Sequence, residues 1–233
     1  MFAGECMRHA RCYVHRSMNR RVCLLLLGCV LAPTAILGVS RPASAEPAPP
    51  PDPQVAKLLQ AKSAVQSNRT IGTSTDRYGH AEALVAAPVE KVVEGLSQFN
   101  RYKDLNKKFA TARIINKEGD QTDLYMRYPV RIGALEIELY EVMRFSPIKA
   151  NGAVRTLEAR GIKGDMRRGH IVMSVRPVDA THSLLEIDVS LVPLLPAPQS
   201  YVDEELRDGA LAFVNGLRDR AQPKPGPVVS LTE

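Results

Sequence analysis

The sequence predicts one α+β domain in which an antiparallel sheet packs against a long C-terminal helix. Three observations carry this prediction. Residues 184–192, LLEIDVSLV, alternate apolar and polar side chains with a period of two, which indicates a strand with one buried face. Residues 170–176 alternate in the same way, and the turn-forming stretch PVDATHS joins the two strands into a hairpin. After a proline-rich bend, apolar residues recur at helical spacing up to Ala221, which predicts a long amphipathic helix.

The ends and the glycines of this helix are informative. Ser200 and Asp203 have the spacing of a capping box, which predicts the start of the helix, and Pro223 ends it. Gly209 and Gly216 lie seven residues apart and so on nearly one face, although each glycine costs about 1 kcal/mol relative to alanine inside a helix. Two explanations are open, close packing of the helix on the sheet and space for a ligand beneath it.

The first 45 residues predict a secretory signal peptide. The basic stretch MNRR at residues 18–21 precedes an apolar run, and Ala43-Ser44-Ala45 offers a cleavage site. We therefore expect an exported, periplasmic protein whose mature chain begins at Glu46, with Met18 as an alternative start. The stretch LLGC, which ends at Cys29, resembles a lipid-modification site, so a lipoprotein anchor is the competing interpretation.

Removal of this leader changes the composition of the chain. All four cysteines lie in the leader, so the mature protein holds no disulfide and no thiolate metal site. The leader also carries six of the 31 basic residues and one of the 25 acidic residues, which leaves 25 against 24. The mature protein therefore lacks the basic excess that binding to nucleic acid requires.

The remaining elements follow in order. Residues 46–68 are predicted to form a proline-rich linker and a short amphipathic helix over 54–68, before a domain over 69–222 and a disordered tail over 223–233. A strand over 80–87 ends at Pro88, and two short helices follow it. Turn signals then separate a run of short strands, with glycines 161 to 164 as one of the turns. The predicted strands of this run cover residues 112–117, 124–131, 135–145, 153–159, 170–176 and 184–192.

Three stretches resemble the START-like lipid-binding and polyketide-cyclase (SRPBCC) superfamily, including its coenzyme Q-binding branch. They are LVAAPVEKVVEGLSQFNRYKDLNKKFATARII, EIDVSLVPLLPAP and ALAFVNGLRDRA. The resemblance covers residues 80–221 and implies a helix-grip fold, a curved antiparallel sheet wrapped around the terminal helix with an apolar cavity between them. In this fold the two short helices come after the first strand. The resemblance brings no fixed set of site residues.

No strong enzymatic motif is present, so the sequence predicts no catalytic residue, metal ligand or cofactor. His80, His170 and His182 stand apart near strand ends, where we expect structural roles. The segment RGIKGDMRRGH at residues 160–170 carries four basic residues and one acid. It is either a solvated charged hairpin or a surface for transient contact with an anionic membrane.

The strand over residues 135–145 holds one anomaly. If its alternation is unbroken, Glu141 shares the cavity face with Leu139 and Met143, and a buried carboxylate needs a partner. A bulge between Leu139 and Glu141 would instead turn the acid outward. Tyr128 is the other polar-tipped residue that the pattern places inside.

These features predict a protein that binds or carries a hydrophobic small molecule, such as a lipid or a quinone, by burying it. The competing classes are a cyclase or aromatase, in which Glu141 or Tyr128 would act as acid or base, and a protein-interaction module without a ligand. The residues expected to line the cavity are Leu96, Phe99, Tyr128, Ile137, Leu139, Glu141, Met173, Ile187, Val189, Phe213 and Leu217.

Overall fold

The computed structural model describes residues 52–132 and 135–222. The predicted signal peptide, its cleavage site and the C-terminal tail lie outside these residues. The helices are α1 (Pro53–Ala61), α2 (Val89–Ser97), α3 (Tyr102–Leu105) and α4 (Gln199–Ala221), with a 3₁₀ turn at Phe99–Arg101. The strands are β1 (Val65–Thr70), β2 (Arg77–Val85), β3 (Thr111–Glu118), β4 (Gln121–Ile132), β5 (Leu135–Phe145), β6 (Lys149–Asn151), β7 (Val154–Gly164), β8 (Met166–Pro177) and β9 (Ser183–Pro193).

All nine strands form one antiparallel sheet in the order β1-β2-β9-β8-β7-β5-β4-β3, and β6 pairs with β7. The helix α4 packs mainly on β2, with further contacts to β9, β1, α2 and α3. The predicted α+β helix-grip fold is therefore confirmed. Within the described ranges, no helix is long and apolar enough to cross a membrane.

The helix α4 lies unusually close to the sheet at Gly79 of β2. A Cβ atom on Gly79 would lie 2.2 Å from the backbone carbon of Leu206, so only glycine permits this approach. The apolar side of α4 faces the sheet and the helices α2 and α3, which close the core around it. The buried residues of this side are Leu206, Ala210, Phe213, Val214 and Leu217.

The prediction for the N-terminal helix is wrong in its length. The helix expected over residues 54–68 ends at Ala61, where Lys62 adopts a left-handed conformation with φ 54°. Residues 65–70 instead form the edge strand β1, which was not predicted and which pairs with β2. The two short helices therefore follow the second strand of the chain. The sequence VQSNRT has one apolar residue, so pairing with β2 rather than an apolar alternation determines this strand.

Two local predictions near the C-terminus are also wrong. The helix α4 begins at Gln199, after Pro198, and the Ser200 side chain makes no capping hydrogen bond. Asp203 instead accepts a hydrogen bond from the Gln199 side chain (2.8 Å) and forms an ion pair with Arg77 (2.8 Å). The conformation of Pro198, with φ −58° and ψ 133°, already directs the chain into the helix. Residues 161–164 continue β7, and the chain turns at Asp165.

Candidate functional site

An apolar cavity of about 160 Å³ lies between α4 and the sheet, and we call it the α4 cavity. Its walls come from β4, β5, β8, β9, α4 and the proline-rich segment that joins β9 to α4. Eight of the residues predicted to line a cavity are on these walls. They are Tyr128, Ile137, Leu139, Glu141, Met173, Ile187, Val189 and Phe213.

Three predicted lining residues lie elsewhere in the core. Leu96 is fully buried on α2, and Phe99 packs its ring 4.8 Å from that of Phe145. Leu217 is buried beside Gly95 of α2. These side chains fill the space between α4 and the short helices, because α2 and α3 cover the C-terminal half of α4 directly.

Part of the cavity wall has no periodic pattern in the sequence and was not predicted. The loop after α3 contributes Asn106, Lys108 and Phe109, and the segment before α4 contributes Leu195 and Ala197. Neither stretch alternates with a strand or helix period, so their sequences carry no signal of which side chains face inward.

Glu141 lies on the inward face of β5, as strict alternation predicts, and is 2% exposed. The alternative with a bulge between Leu139 and Glu141 is wrong. A bulge does occur, but it lies in β7 opposite Val142 and Met143, where Ile162 is the extra residue and is 49% exposed. The irregularity therefore leaves the alternation of β5 intact.

Three glycines surround the Glu141 carboxyl group. A Cβ atom would lie 2.1 Å from Oε1 at Gly161, 2.5 Å from Oε2 at Gly164 and 3.1 Å from Oε1 at Gly169. Larger residues at 161 or 164 would displace the acid, and the φ of 146° at Gly164 also favours glycine. Gly161 and Gly164, which resembled a turn signal, and Gly169 therefore leave the space into which the carboxyl group fits.

The surroundings of Glu141 favour its neutral form. Its pKa is raised from 4.5 to about 7, mainly by burial and to a lesser extent by the nearby Asp165, while the backbone N–H of Met166 opposes the shift. Oε2 has no hydrogen-bond partner in the described residues. An acid with this pKa exists at neutral pH in both protonation states and can either donate or accept a hydrogen bond.

Tyr128 is the second polar group of the α4 cavity. Its hydroxyl group is buried and makes no hydrogen bond to any described residue. Burial raises the pKa of Tyr128 well above its ordinary range, and the nearby Glu141 adds to this, so the hydroxyl is neutral and can donate. Buried polar groups normally have partners, and two without one in the same cavity indicate a position for a polar group of a ligand.

A larger groove lies on the other side of the segment between β9 and α4, and we call it the outer groove. It has a volume of about 640 Å³ and includes Arg77, Arg167 and Arg168. Leu194 and Leu195 are 53% and 51% exposed there. Six residues line both the α4 cavity and the outer groove, namely Leu191, Pro193, Leu195, Ala197, Val202 and Leu206. The wall between the two is therefore one side chain thick.

The two glycines of α4 have different surroundings. A Cβ atom on Gly209 would meet nothing within 4 Å, and Gly209 lines the α4 cavity. A Cβ atom on Gly216 would lie 2.3 Å from the carbonyl oxygen of Leu105. Both explanations offered for the glycines thus apply, open space at Gly209 and close packing at Gly216.

The histidines have hydrogen-bonded roles, as expected. His170 contacts the Tyr78 hydroxyl (2.8 Å) and Glu158 (3.0 Å), and His182 contacts Asp179 (3.0 Å). His80 Nδ1 lies 3.0 Å from Asp188 on the outer face of the sheet. None of the three lines the α4 cavity.

Comparison with solved structures identifies the architecture. A STAR-related lipid transfer protein from Xanthomonas axonopodis superposes with a TM-score of 0.57 at 14% identity, over 69% of this chain and 94% of that chain. The chain has the START fold. The human StarD13 lipid transfer and protein localization domain superposes on this fold with a TM-score of 0.53 at 12% identity, over 73% and 96% of the two chains. Human StAR-related lipid transfer protein 5 superposes with a TM-score of 0.52 at 13% identity, over 72% of this chain and 92% of that chain.

Sequence comparisons find no such likeness. No protein-family model matches the chain, and no curated protein matches it. The START fold of this chain is therefore recognised through its three-dimensional arrangement.

Proposed function

We propose that this START-fold domain binds or carries a hydrophobic small molecule, a lipid, a quinone or a similar compound, in the α4 cavity. The observation that carries the proposal is the presence of two buried polar atoms without partners among the described residues, Glu141 Oε2 and the Tyr128 hydroxyl, in a mostly apolar cavity. The names of two of the superposed proteins, both lipid transfer proteins, agree with this assignment.

The apolar walls take the non-polar body of the ligand, and the two polar groups orient its head. Neutral Glu141 donates a hydrogen bond to a carbonyl oxygen, such as that of a quinone from the coenzyme Q group, whereas ionised Glu141 accepts one from a hydroxyl or an amine. Tyr128 donates in either case. An anionic head group is disfavoured next to Glu141 when this carboxyl group is ionised.

The size of the α4 cavity restricts what it encloses. A volume of about 160 Å³ is close to the ~150 Å³ that holds one benzene molecule, and small-molecule sites usually measure about 300–1,000 Å³. The cavity therefore receives the head and its first ring or chain segment, and a longer ligand extends past the thin wall at Leu195 into the outer groove. Exposed Leu194 beside Arg167 and Arg168 suits transient contact with an anionic membrane there.

A second function is favoured by one observation. The pKa of Glu141, about 7, is suited to proton transfer at neutral pH, so the site could serve as the acid or base of a cyclase or aromatase. Carrier and enzyme differ in a measurable way, because only an enzyme converts its ligand.

Replacing Gly209 with leucine tests the position of the ligand. The leucine side chain would occupy the open space beneath α4, so we expect binding of a short-chain quinone to weaken at least tenfold, about 1.4 kcal/mol, while the fold is kept. Fluorescence titration measures the affinity, and circular dichroism checks the fold. Gly209→Ala is the matched control and should bind nearly as the wild type does. Unchanged affinity in Gly209→Leu would mean that the ligand lies elsewhere.

We also propose that the protein is exported through cleavage after Ala45 and acts in the periplasm. The support is the basic, apolar and small-residue order of the first 45 residues. Intact-mass measurement and N-terminal sequencing of the secreted protein should give Glu46 as the first residue. A lipid-modified Cys29 at the new terminus would replace this proposal with a membrane anchor.

A further inference from the structure

The outer face of the sheet carries a cluster of ionisable side chains on the side opposite the α4 cavity. His80 and Glu82 of β2 are the cross-strand neighbours of Asp188 and Glu186 of β9, and we call these four residues the outer cluster. The alternation of β9 turns Ile187 and Val189 to the cavity, so its acids project the other way. Three members, His80, Glu82 and Asp188, are at most 5% exposed.

Asp188 determines which nitrogen of His80 carries a proton. The Arg69 guanidinium donates a hydrogen bond to Asp188 Oδ1 (2.6 Å) and pairs with its other oxygen, so Asp188 is a hydrogen-bond acceptor. His80 Nδ1 lies 3.0 Å from Asp188 Oδ1 and is therefore the protonated nitrogen. In a neutral imidazole the lone pair is then on Nε2.

His80 Nε2 points toward the acids of the outer cluster without a hydrogen bond to any described residue. It lies 3.8 Å from Glu82 Oε2, and the His80 side chain is 7% exposed. Two acceptors, an imidazole lone pair and a carboxylate oxygen, thus face each other in a buried place. A cation placed between them would interact favourably with both.

A position for such a cation exists. One ligand atom each from His80, Glu82 and Glu186 lies within 4.8 Å of the other two. The Gln54 side-chain amide of α1 donates hydrogen bonds to both Glu82 and Glu186, the latter at 3.1 Å, so a donor already lies between the two carboxylates. A metal ion with bond lengths of about 2.0–2.2 Å would replace the Gln54 amide there and draw the three ligand atoms closer together.

We propose that His80 Nε2, Glu82 and Glu186 bind a divalent transition-metal ion of the zinc class, with Asp188 holding the His80 ring in place. Imidazole nitrogen and carboxylate oxygen are ligands of zinc, and a histidine ligand usually donates its other N–H to a carboxylate. The site is on the outer face of the sheet and is independent of the ligand in the α4 cavity.

The charges around the outer cluster leave room for a cation. Three carboxylates face two cations: Arg69, which pairs with Asp188 and more distantly with Glu186 (4.0 Å), and Lys57, which pairs with Glu82. Arg69 can keep its closer contact with Asp188, because Asp188 does not bind the metal. The Lys57 side chain is 60% exposed and can withdraw into water at little cost. Since Gln54 and Lys57 both belong to α1, metal binding is expected to change how α1 contacts the sheet.

The test uses the full chain after chelator treatment, with its four cysteines alkylated so that they cannot bind metal. Calorimetric titration with Zn²⁺ should show one site with a dissociation constant in the micromolar range or tighter. The ¹⁵N resonance of His80 Nε2 should shift on addition of Zn²⁺, and Co²⁺ should give the absorption bands of a low-symmetry site.

Glu186→Gln keeps the shape of a half-buried ligand and removes its charge. Loss of a residue that only supports a metal ligand weakens metal binding roughly ten- to hundredfold. Because Glu186 is itself a ligand, Glu186→Gln should weaken Zn²⁺ binding by more than this. Glu158→Gln is the matched control, since Glu158 also lies beside a histidine, His170, on the sheet. It should leave the affinity unchanged.

Two results would overturn the proposal. The first is the absence of saturable binding by the wild type, with His80 Nε2 found protonated, because the cluster would then be an imidazolium ion pair. The second is equal Zn²⁺ affinity in Glu186→Gln and Glu158→Gln. A His80→Gln variant that is folded by circular dichroism and still shows the wild-type cobalt spectrum would exclude the site as well.

Discussion

Replacing Gly216 with alanine is expected to destabilise the domain strongly. The new Cβ atom would lie 2.3 Å from the carbonyl oxygen and 2.8 Å from the Cα atom of Leu105, so the backbone of α3 must move. Overpacking of a core costs about 1–3 kcal/mol, and displaced backbone belongs at the upper end of this range. We expect a loss of about 3 kcal/mol and a fall in Tm of roughly 10 °C.

Gly209→Ala on the same helix is the matched control. Its Cβ atom meets nothing within 4 Å, so the higher helix propensity of alanine should stabilise the domain by up to about 1 kcal/mol. Urea unfolding of the two variants measures the contrast directly. Equal effects on the free energy of unfolding would show that α3 does not contact α4 as closely at Gly216 as described.

The second large effect concerns the pH dependence of stability. The pKa of Glu141 is 4.5 in the unfolded chain and about 7 in the fold, so the folded state binds the proton more tightly. The contribution of Glu141 to the free energy of unfolding is therefore highest below pH 4.5, falls between pH 4.5 and 7, and is level above. At about 1.4 kcal/mol per pKa unit, the decrease is about 3 kcal/mol.

Glu141→Gln removes this dependence, because the amide is neutral at every pH. The variant should match the wild type near pH 4 and exceed it by up to about 3 kcal/mol at pH 8. Glu136→Gln, which changes an exposed acid of the same strand, should leave the curve unchanged. A wild-type curve that is parallel to that of Glu141→Gln would mean that the acid is not buried.

The same variant separates the carrier from the enzyme. A carrier lacking the Glu141 charge should show a change in affinity of roughly 1–3 kcal/mol and no product in either form. A cyclase should convert a co-purifying hydrophobic compound, and Glu141→Gln should lower the rate about a hundredfold or more. Mass spectrometry of the incubated compound decides between the two.

The sheet could be predicted from the sequence because its central strands alternate. The bounds of β5 match the sequence prediction, and Glu141 faces inward as the period of two requires. The edge strand β1 could not be predicted, since VQSNRT shows no apolar alternation and becomes a strand only through its partner. Local pattern is therefore sufficient for strands with a buried face and insufficient for an edge.

The residues of the candidate site divide in the same way, into those that a strand pattern predicts and those that it does not. The predicted side chains on strands line the α4 cavity, whereas Leu96, Phe99 and Leu217 lie elsewhere in the core, because helix periodicity does not tell which neighbour a buried face contacts. The glycines at 161 and 164 resembled a turn signal, and Gly169 was assigned no role. Their role depends on the Glu141 carboxyl group across the sheet, which lies some 20 to 28 residues away in the chain, beyond any local pattern.

The pairing of β2 with β9 determines how the chain can fold. The strands from β3 to β9 join their neighbours mostly through short turns, so these hairpins close small loops. In contrast, β2 meets β9 across about a hundred residues of chain, and α4 is in close contact with Gly79 of the same strand. Since long loops close slowly, we expect β2 to pair with β9 later than the hairpins of the meander form. While β2 is unpaired, β9 would present an open edge to which other chains could add.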